Sequence, residues 1–251
     1  MVAGIGMAVH RVIFRLDFDP AFAMINVPGT ILKSLSETVP DYFSEFSHET
    51  SAHKISGKFQ DDVVGRSITI EPSTIVLEIK SKEPIKLLNF PTHQHIKPAV
   101  EIITALCSEF KIGQIKRSGL RCFYFSKIFT DRGKALSAFQ KAVQTPLIEI
   151  IKGQFGEIKD YGITFQGSHP DKLNYRCMVG PYLDNEAEKY LPAKYAKLIE
   201  EQKYDFTSDL DVYEKDFNLT GTPLPRWLNA VSTRMKNSVE ATEKYLVEVA
   251  A

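Results

Sequence analysis

The sequence predicts an α+β fold: two β-α-β-β-β-α units, at residues 1–112 and 113–251, with curved antiparallel sheets and a long C-terminal helix. Three observations carry this. Segments with period-two apolar alternation, the mark of half-buried strands, recur along the whole chain. Segments with apolar residues three and four apart, the mark of amphipathic helices, fall between and after them. The order of the two kinds is the same in both halves. A repeated order of this size implies units that share one core in one compact structure, since a lone sheet cannot cover both its faces.

In the first unit Val12, Phe14, Leu16 and Phe18 alternate with Arg11, Ile13, Arg15 and Asp17, which gives a strand with one apolar side. Ile31, Leu32, Leu35, Val39, Tyr42 and Phe43 share a helical face. Pro28 suits its first turn, and Pro40 should break or kink it. Extended segments follow at 53–60, 67–71 and 74–81, the last two flanking a Pro72-Ser73 turn. Ile96, Val100, Ile103, Leu106, Cys107 and Phe110 then recur at helical spacing ahead of Gly113, where a C-terminal glycine belongs.

The second unit opens with the strongest strand of the chain, 115–128, containing Gly-Leu-Arg-Cys-Phe-Tyr-Phe. Asp131 can cap a helix that carries Leu136, Phe139, Val143 and Leu147 on one side. Strands are expected at 157–166 and 173–182 around a Ser168-His169-Pro170-Asp171 turn, and at 204–213. A segment rich in Glu, Lys, Ala and Tyr, 184–202, reads as a helical insertion between the last two strands. Leu224, Leu228, Val231, Met235, Val239, Thr242 and Leu246 lay out the closing amphipathic helix. This order resembles two-copy folds like that of the TATA-binding protein and, more loosely, helix-grip folds. A likeness of fold does not determine function.

Composition narrows the classes. Of 251 residues, 43% are hydrophobic and 25% charged, as in a globular protein. Thirty-one basic side chains meet 31 acidic ones, whereas a dedicated nucleic-acid binder shows a basic excess. Cys107, Cys122 and Cys177 form no CxxC pair, and an odd count points to reduced, buried thiols. Residues 1–9 are small and apolar without a basic n-region or cleavage site, and Met7 is an alternative start. No apolar run is long enough to span a bilayer, so a cytoplasmic location without membrane contact is expected.

Few residues point to chemistry. His93 and His95 are the one close histidine pair, which two-residue spacing on a strand would aim at a common metal. They follow Pro91 and precede a helix, where this spacing does not align side chains; His48 and His53 could complete the site, though nothing in the spacing demands it. Asp205, Asp209 and Asp211 alternate with the apolar stripe of their strand; carboxylates so placed hold a hard cation, do acid–base work, or simply face solvent. Arg121 lies in an apolar run, which points to an ion pair or to an anchor for an anionic ligand. With Phe123, Phe125 and Arg176 it forms the candidate ligand-binding set; the aromatics otherwise belong to the core. The non-apolar strand positions Arg15, Asp17, Glu71, Glu78, Lys80, Arg121, Asp160, Arg176, Asp205, Asp209 and Asp211 are mostly acidic, a face that would repel phosphates. GxSxG, GxxxxGK[ST], GxGxxG, HExxH and CxxC are all absent.

The run from Arg117 to Ile128 resembles the mid-chain signature of a sporadically distributed family of bacterial proteins of about this length, which has no assigned activity. Its strand reads approximately Arg-x-Gly-Leu-Arg-Tyr-x-Asn-x-Ile; Arg117, Gly119, Leu120 and Arg121 match, Ile128 follows two positions beyond the final isoleucine, Cys122 replaces the tyrosine, and Tyr124 or Ser126 stands where the asparagine is expected. The Asp209-x-Asp211 strand and closing helix are similar as well. The resemblance implies a stand-alone bacterial protein and brings no catalytic residues with it. The expected function is an uncharacterised intracellular binding or interaction module, without a cofactor, for a small molecule beneath the terminal helix or for a protein, with a homodimer allowed. The alternatives are a metal-assisted enzyme built on His93, His95, Asp209 and Asp211, and nucleic-acid binding, against which the charge balance argues.

Overall fold

Strands β1 (Ile5–Phe18) and β6 (Gln114–Lys127) lie antiparallel at the middle of one nine-stranded sheet in a computed structural model that describes residues 5–129, 131–156, 161–183 and 185–250. On one side of β1 follow β5 (Thr74–Ile85), β4 (Val64–Glu71), β3 (Lys54–Gln60) and β2 (Glu45–Glu49). On the other side of β6 follow β9 (Phe206–Asn218), β8 (Leu173–Pro181) and β7 (Ile163–Ser168). Every pairing is antiparallel. Each central strand is thus flanked by the last strand of its own half of the chain.

Alternation decides which face is greasy. Val12, Phe14, Leu16 and Phe18 are buried with Leu120, Cys122 and Tyr124 of β6, Ile75, Leu77 and Ile79 of β5, and Leu210 and Val212 of β9. Three helices bury their stripes in the same core: Ile31 and Leu35 of α2 (Pro28–Thr38), Ile102, Ile103 and Leu106 of α3 (Lys97–Glu109), and Val231, Met235 and Val239 of α7 (Leu224–Ala250). A short turn, α1 (Ala23–Asn26), precedes α2. Removing this much apolar surface from water is the main stabilising term, at about 25 cal/mol per Å². None of the described helices is long and apolar enough to cross a membrane.

Several local expectations hold residue for residue. Proline ends the first helix: α2 stops at Thr38, and Val39 is extended ahead of Pro40. Asp131 caps α4 (Arg132–Val143) by accepting a 2.9 Å bond from the Lys134 amide. The expected helical insertion contains a 3-10 turn at Glu186–Lys189 and α6 (Ala193–Glu201); Asp184 lies outside the described residues.

Other details differ. The first half contains one strand more than the sequence pattern predicts, because β2 is exposed along its whole length and shows no apolar alternation. Helix α3 ends at Glu109, and Lys111 rather than Gly113 takes the left-handed position after it: Lys111 has φ 53°, its amide bonds to the Ser108 carbonyl, and the Ile112 amide reaches the Cys107 carbonyl. That is the Schellman arrangement with lysine in the left-handed position. Leu147 does not extend α4; Pro146 opens a separate helix, α5 (Pro146–Phe155). Strand β7 starts at Ile163, and the earlier part of the predicted segment, 157–160, lies outside the described residues together with Asp160. Cys107 and Cys122 are buried and Cys177 partly so, all three as free thiols.

Candidate functional site

The second face of the sheet is where the charged residues gather. Register places Arg11, Ile13, Arg15 and Asp17 of β1 on the side opposite the core, since they alternate with Val12, Phe14 and Leu16. Cross-strand pairing then defines rows. Glu78, Ile13, Arg121, Asp211 and Arg176 lie abreast across β5, β1, β6, β9 and β8. The next row holds Lys80, Arg11, Phe123, Asp209 and Met178. Two further rows hold Val76, Arg15, Gly119, Tyr213 and Asn174, then Thr74, Asp17, Arg117 and Lys215. Across these five strands the basic members outnumber the acidic ones. The expected acidic excess is therefore corrected: Arg11, Arg117 and Lys215 belong to the face, and Asp205 does not.

Asp205 is buried rather than solvated. Its carboxylate accepts the amides of Ile128 (2.9 Å) and Phe129 (2.6 Å), closing the turn that leaves β6. Burial raises its pKa, and those two amides pull the other way. The other two aspartates neutralise arginines. Asp209 is bidentate with Arg121, at 2.8 and 2.5 Å, and Asp211 meets Arg117 at 3.0 Å. Burial also lifts the Asp211 carboxyl, against the pull of Arg117 and Arg121. On the far side of β1, Glu78 holds both Arg11 (2.6 Å) and Lys80 (2.7 Å), and Arg15 pairs with Asp17. Arg176 and Lys215 are exposed and have no carboxylate partner among the described residues.

Phe123 is the pivot of this array. The guanidinium carbons of Arg11 and Arg121 each lie 4.8 Å from its ring centroid, and Tyr190 packs at 4.8 Å. Each guanidinium is attracted by the ring's quadrupole. The pair beneath it has a measurable consequence. Asp209 has a side chain only 12% exposed, so Arg121→Ala leaves a nearly buried carboxylate without its counter-charge. A loss of about 1–3 kcal/mol is expected in urea denaturation. The double variant Arg121→Leu with Asp209→Leu should lose less than Arg121→Ala alone, because no charge is left stranded.

The insertion covers one end of this face. Phe125, two residues beyond Phe123, is fully buried with Ala8, Tyr182, Leu191, Tyr195, Ile199 and Tyr204. Here β1 bulges between Val9 and Arg11 in both of its pairings. The bulged residue, His10, is buried, with one ring nitrogen 2.9 Å from the Ser81 carbonyl and the other 3.1 Å from the Tyr204 hydroxyl. A bulge is the means by which a strand re-aims a side chain, and this one carries His10 to Ser81 and Tyr204.

Of the expected ligand set, the structure thus brings Arg121 and Arg176 to one face, buries Phe123 on that face beneath Arg11, Arg121 and Tyr190, and buries Phe125 under the insertion. His93 and His95 lie ring to ring, with centroids 5.4 Å apart, but away from the two aspartates. His93 and His95 lie in the segment before α3 that follows the 3-10 turn Phe90–Thr92, a turn packed on α7 on the core side of the sheet. Asp209 and Asp211 are on the opposite face. No group of three or more His, Cys, Asp and Glu among the described residues is placed to hold a metal ion. On the underside of α7, Val231, Met235 and Val239 are core side chains. A cleft of about 610 Å³ lies at the start of α7, lined by Cys107, Ile112, Leu219, Pro223 and Leu224. Another, of about 340 Å³, lies among Phe129, Asp131, Arg132, Lys203 and Asp205.

Sequence reasoning missed Arg11, Tyr213 and His10. Arg11 was legible as a polar member of the β1 alternation; the bulge that redirects His10 leaves no local signal. No family model and no curated protein matches the chain.

Proposed function

We propose that the chain is a non-catalytic interaction module that presents the uncovered face of its sheet to a protein partner with an acidic contact surface. The observation that carries the reading is the set of half-exposed guanidiniums arranged on rigid strands, with Arg176 and Lys215 lacking a counter-charge. Arginine and tyrosine on a fixed scaffold are the residue types that dominate protein recognition. The face suits protein better than nucleic acid. Arg11, Arg15, Arg117 and Arg121 already hold carboxylates, and Phe123 is stacked internally, so bare phosphate-binding charge and free stacking rings are both scarce.

The scaffold itself reads as two copies of one unit, 1–112 and 113–251, in the manner of the two-copy folds it resembles. The support is the sheet order, in which β1 and β6 meet at the centre and each half runs outward from its own first strand through its own last. The chain reads further as a bacterial cytoplasmic protein that needs no cofactor.

The interaction is tested by affinity capture from the protein's own cells with the wild type, the Arg176→Glu, Lys215→Glu double variant, and Arg226→Glu on the outer side of α7. A protein retained by the wild type and by Arg226→Glu, and lost from the double variant, supports the reading. Identical retention by all three would overturn it, as would retention abolished by nuclease.

A further inference from the structure

The two rims of the sheet are chemically unlike. At one rim β2 reads Glu-Phe-Ser-His-Glu and pairs with Lys54 and Lys58. An antiparallel copy of β2 laid against itself about a two-fold axis at its middle residue would set Glu45 against Glu49, acid against acid, which disfavours self-pairing. At the other rim β7 reads Ile-Thr-Phe-Gln-Gly-Ser, without a charge, and ends the sheet. Its aromatic surface is open: Phe165 is 52% exposed, and the neighbouring Tyr175 of β8 is 39% exposed. Tyr175 is directed outward across Gly167, where a Cβ would come within 2.7 Å of the tyrosine hydroxyl oxygen. The missing side chain lets the ring lie over the rim strand.

The backbone has a defined set of free groups. The His169 amide bonds to Leu173, its register partner, so the odd-numbered residues of β7 face β8. The amides and carbonyls of Thr164, Gln166 and Ser168 therefore point away from the sheet. From this we infer that β7 is a self-complementary dimer edge, which pairs antiparallel with β7 of a second copy of this chain about a two-fold axis at Phe165. In that register Thr164 exchanges both backbone bonds with the partner's Gln166, and symmetry repeats the exchange. Phe165 faces the partner's Phe165 as a close non-hydrogen-bonded pair, flanked by Tyr175 from each side. No like charges meet between the two β7 strands, and the outward amides and carbonyls of Thr164 and Gln166 are satisfied on both. The nine-stranded sheet becomes continuous across the axis. The inference concerns the rim and does not rest on what the open face binds.

Sedimentation equilibrium of the full chain over a range of concentrations tests it. The wild type should show a mass rising from one chain toward two. Phe165→Lys sets two ammonium groups against each other on the axis. Gln166→Pro removes an outward amide while sparing the bonds to β8, a position where an edge strand accepts proline. Each should weaken self-association at least about tenfold, or 1.4 kcal/mol, with the circular dichroism spectrum of the sheet retained. Phe46→Lys on β2 should leave it unchanged. A wild type that stays monomeric at every concentration overturns the proposal. So does a dimer that survives both β7 variants, or one that is lost on Phe46→Lys.

Discussion

Replacing Trp227 with alanine is expected to lower the unfolding free energy by about 3–5 kcal/mol, the range found when a large buried aromatic is truncated. Trp227 sits in the first turn of α7, is 4% exposed, and makes three contacts that join the helix to the sheet. Its ring packs on Phe14 of β1 at 6.2 Å and on Phe217 of β9 at 5.6 Å. Its Nε1–H donates a 2.9 Å bond to Glu214. Alanine removes the ring contacts, leaves a cavity at the root of the longest helix, and strips the Glu214 carboxylate of a donor. Trp227→Phe should cost less, about 1–2 kcal/mol, because most of the volume stays and mainly the hydrogen bond is lost. Because the single tryptophan is the residue replaced, far-UV circular dichroism in urea is the measurement. Domains unfold at 5–15 kcal/mol, so the alanine variant spends a large share of that margin. Equal stability of the two variants would show that α7 is not held to the sheet here.

Acid should loosen the packing around His10 before it unfolds carboxylate-dependent parts of the molecule. His10 is 1% exposed, and burial pulls its pKa down to about 4 from 6.5, with the Ser81 carbonyl opposing weakly. A histidine kept neutral in the folded state binds fewer protons there than in the unfolded chain between those two values. Stability therefore rises with pH across that window and is lost as pH falls from about 6.5 toward 4. A shift of this size corresponds to about 3 kcal/mol. Asp205, Asp211 and Glu243 have raised pKa values and act in the opposite sense at the acid end, since their protonated forms are favoured in the fold. The comparison with His10→Phe isolates the histidine. The variant loses the bonds to Ser81 and Tyr204 at every pH, so it should be weaker at pH 7 and draw level with, or pass, the wild type near pH 4. Parallel stability curves for the two proteins from pH 7 to 4 would rule out His10 as the titrating group.

Much of the architecture was legible one segment at a time. The alternation of Val12, Phe14, Leu16 and Phe18 specified both a strand and its buried side, because side chains of a strand fall alternately on two faces and only one of them can be apolar. The stripe from Leu224 to Leu246 specified a long helix lying on a surface, and Asp131 its neighbour's start. These are local properties, determined by the backbone period and by which side chain can reach its own backbone. The sites of disagreement are those where a residue's neighbours come from far along the chain. Strand β2 carries no apolar pattern and exists only because β3 offers it an open ladder. Asp205 follows a strand-like alternation, yet it turns inward to amides of Ile128 and Phe129, which lie more than seventy positions earlier.

The charged face makes the same point. Arg121 was readable as an arginine in need of a partner, but its partner, Asp209, follows from the register of β6 against β9. The stacking of Arg11 on Phe123 follows from β1 lying between β5 and β6. Sequence by itself determined which residues must be covered and which can meet water, because hydrophobicity is a property of each side chain. Only the tertiary structure decided which charges meet, which histidine is sealed from solvent and which rim stays bare, because those depend on strand order and register, set by the packing of the whole chain at once.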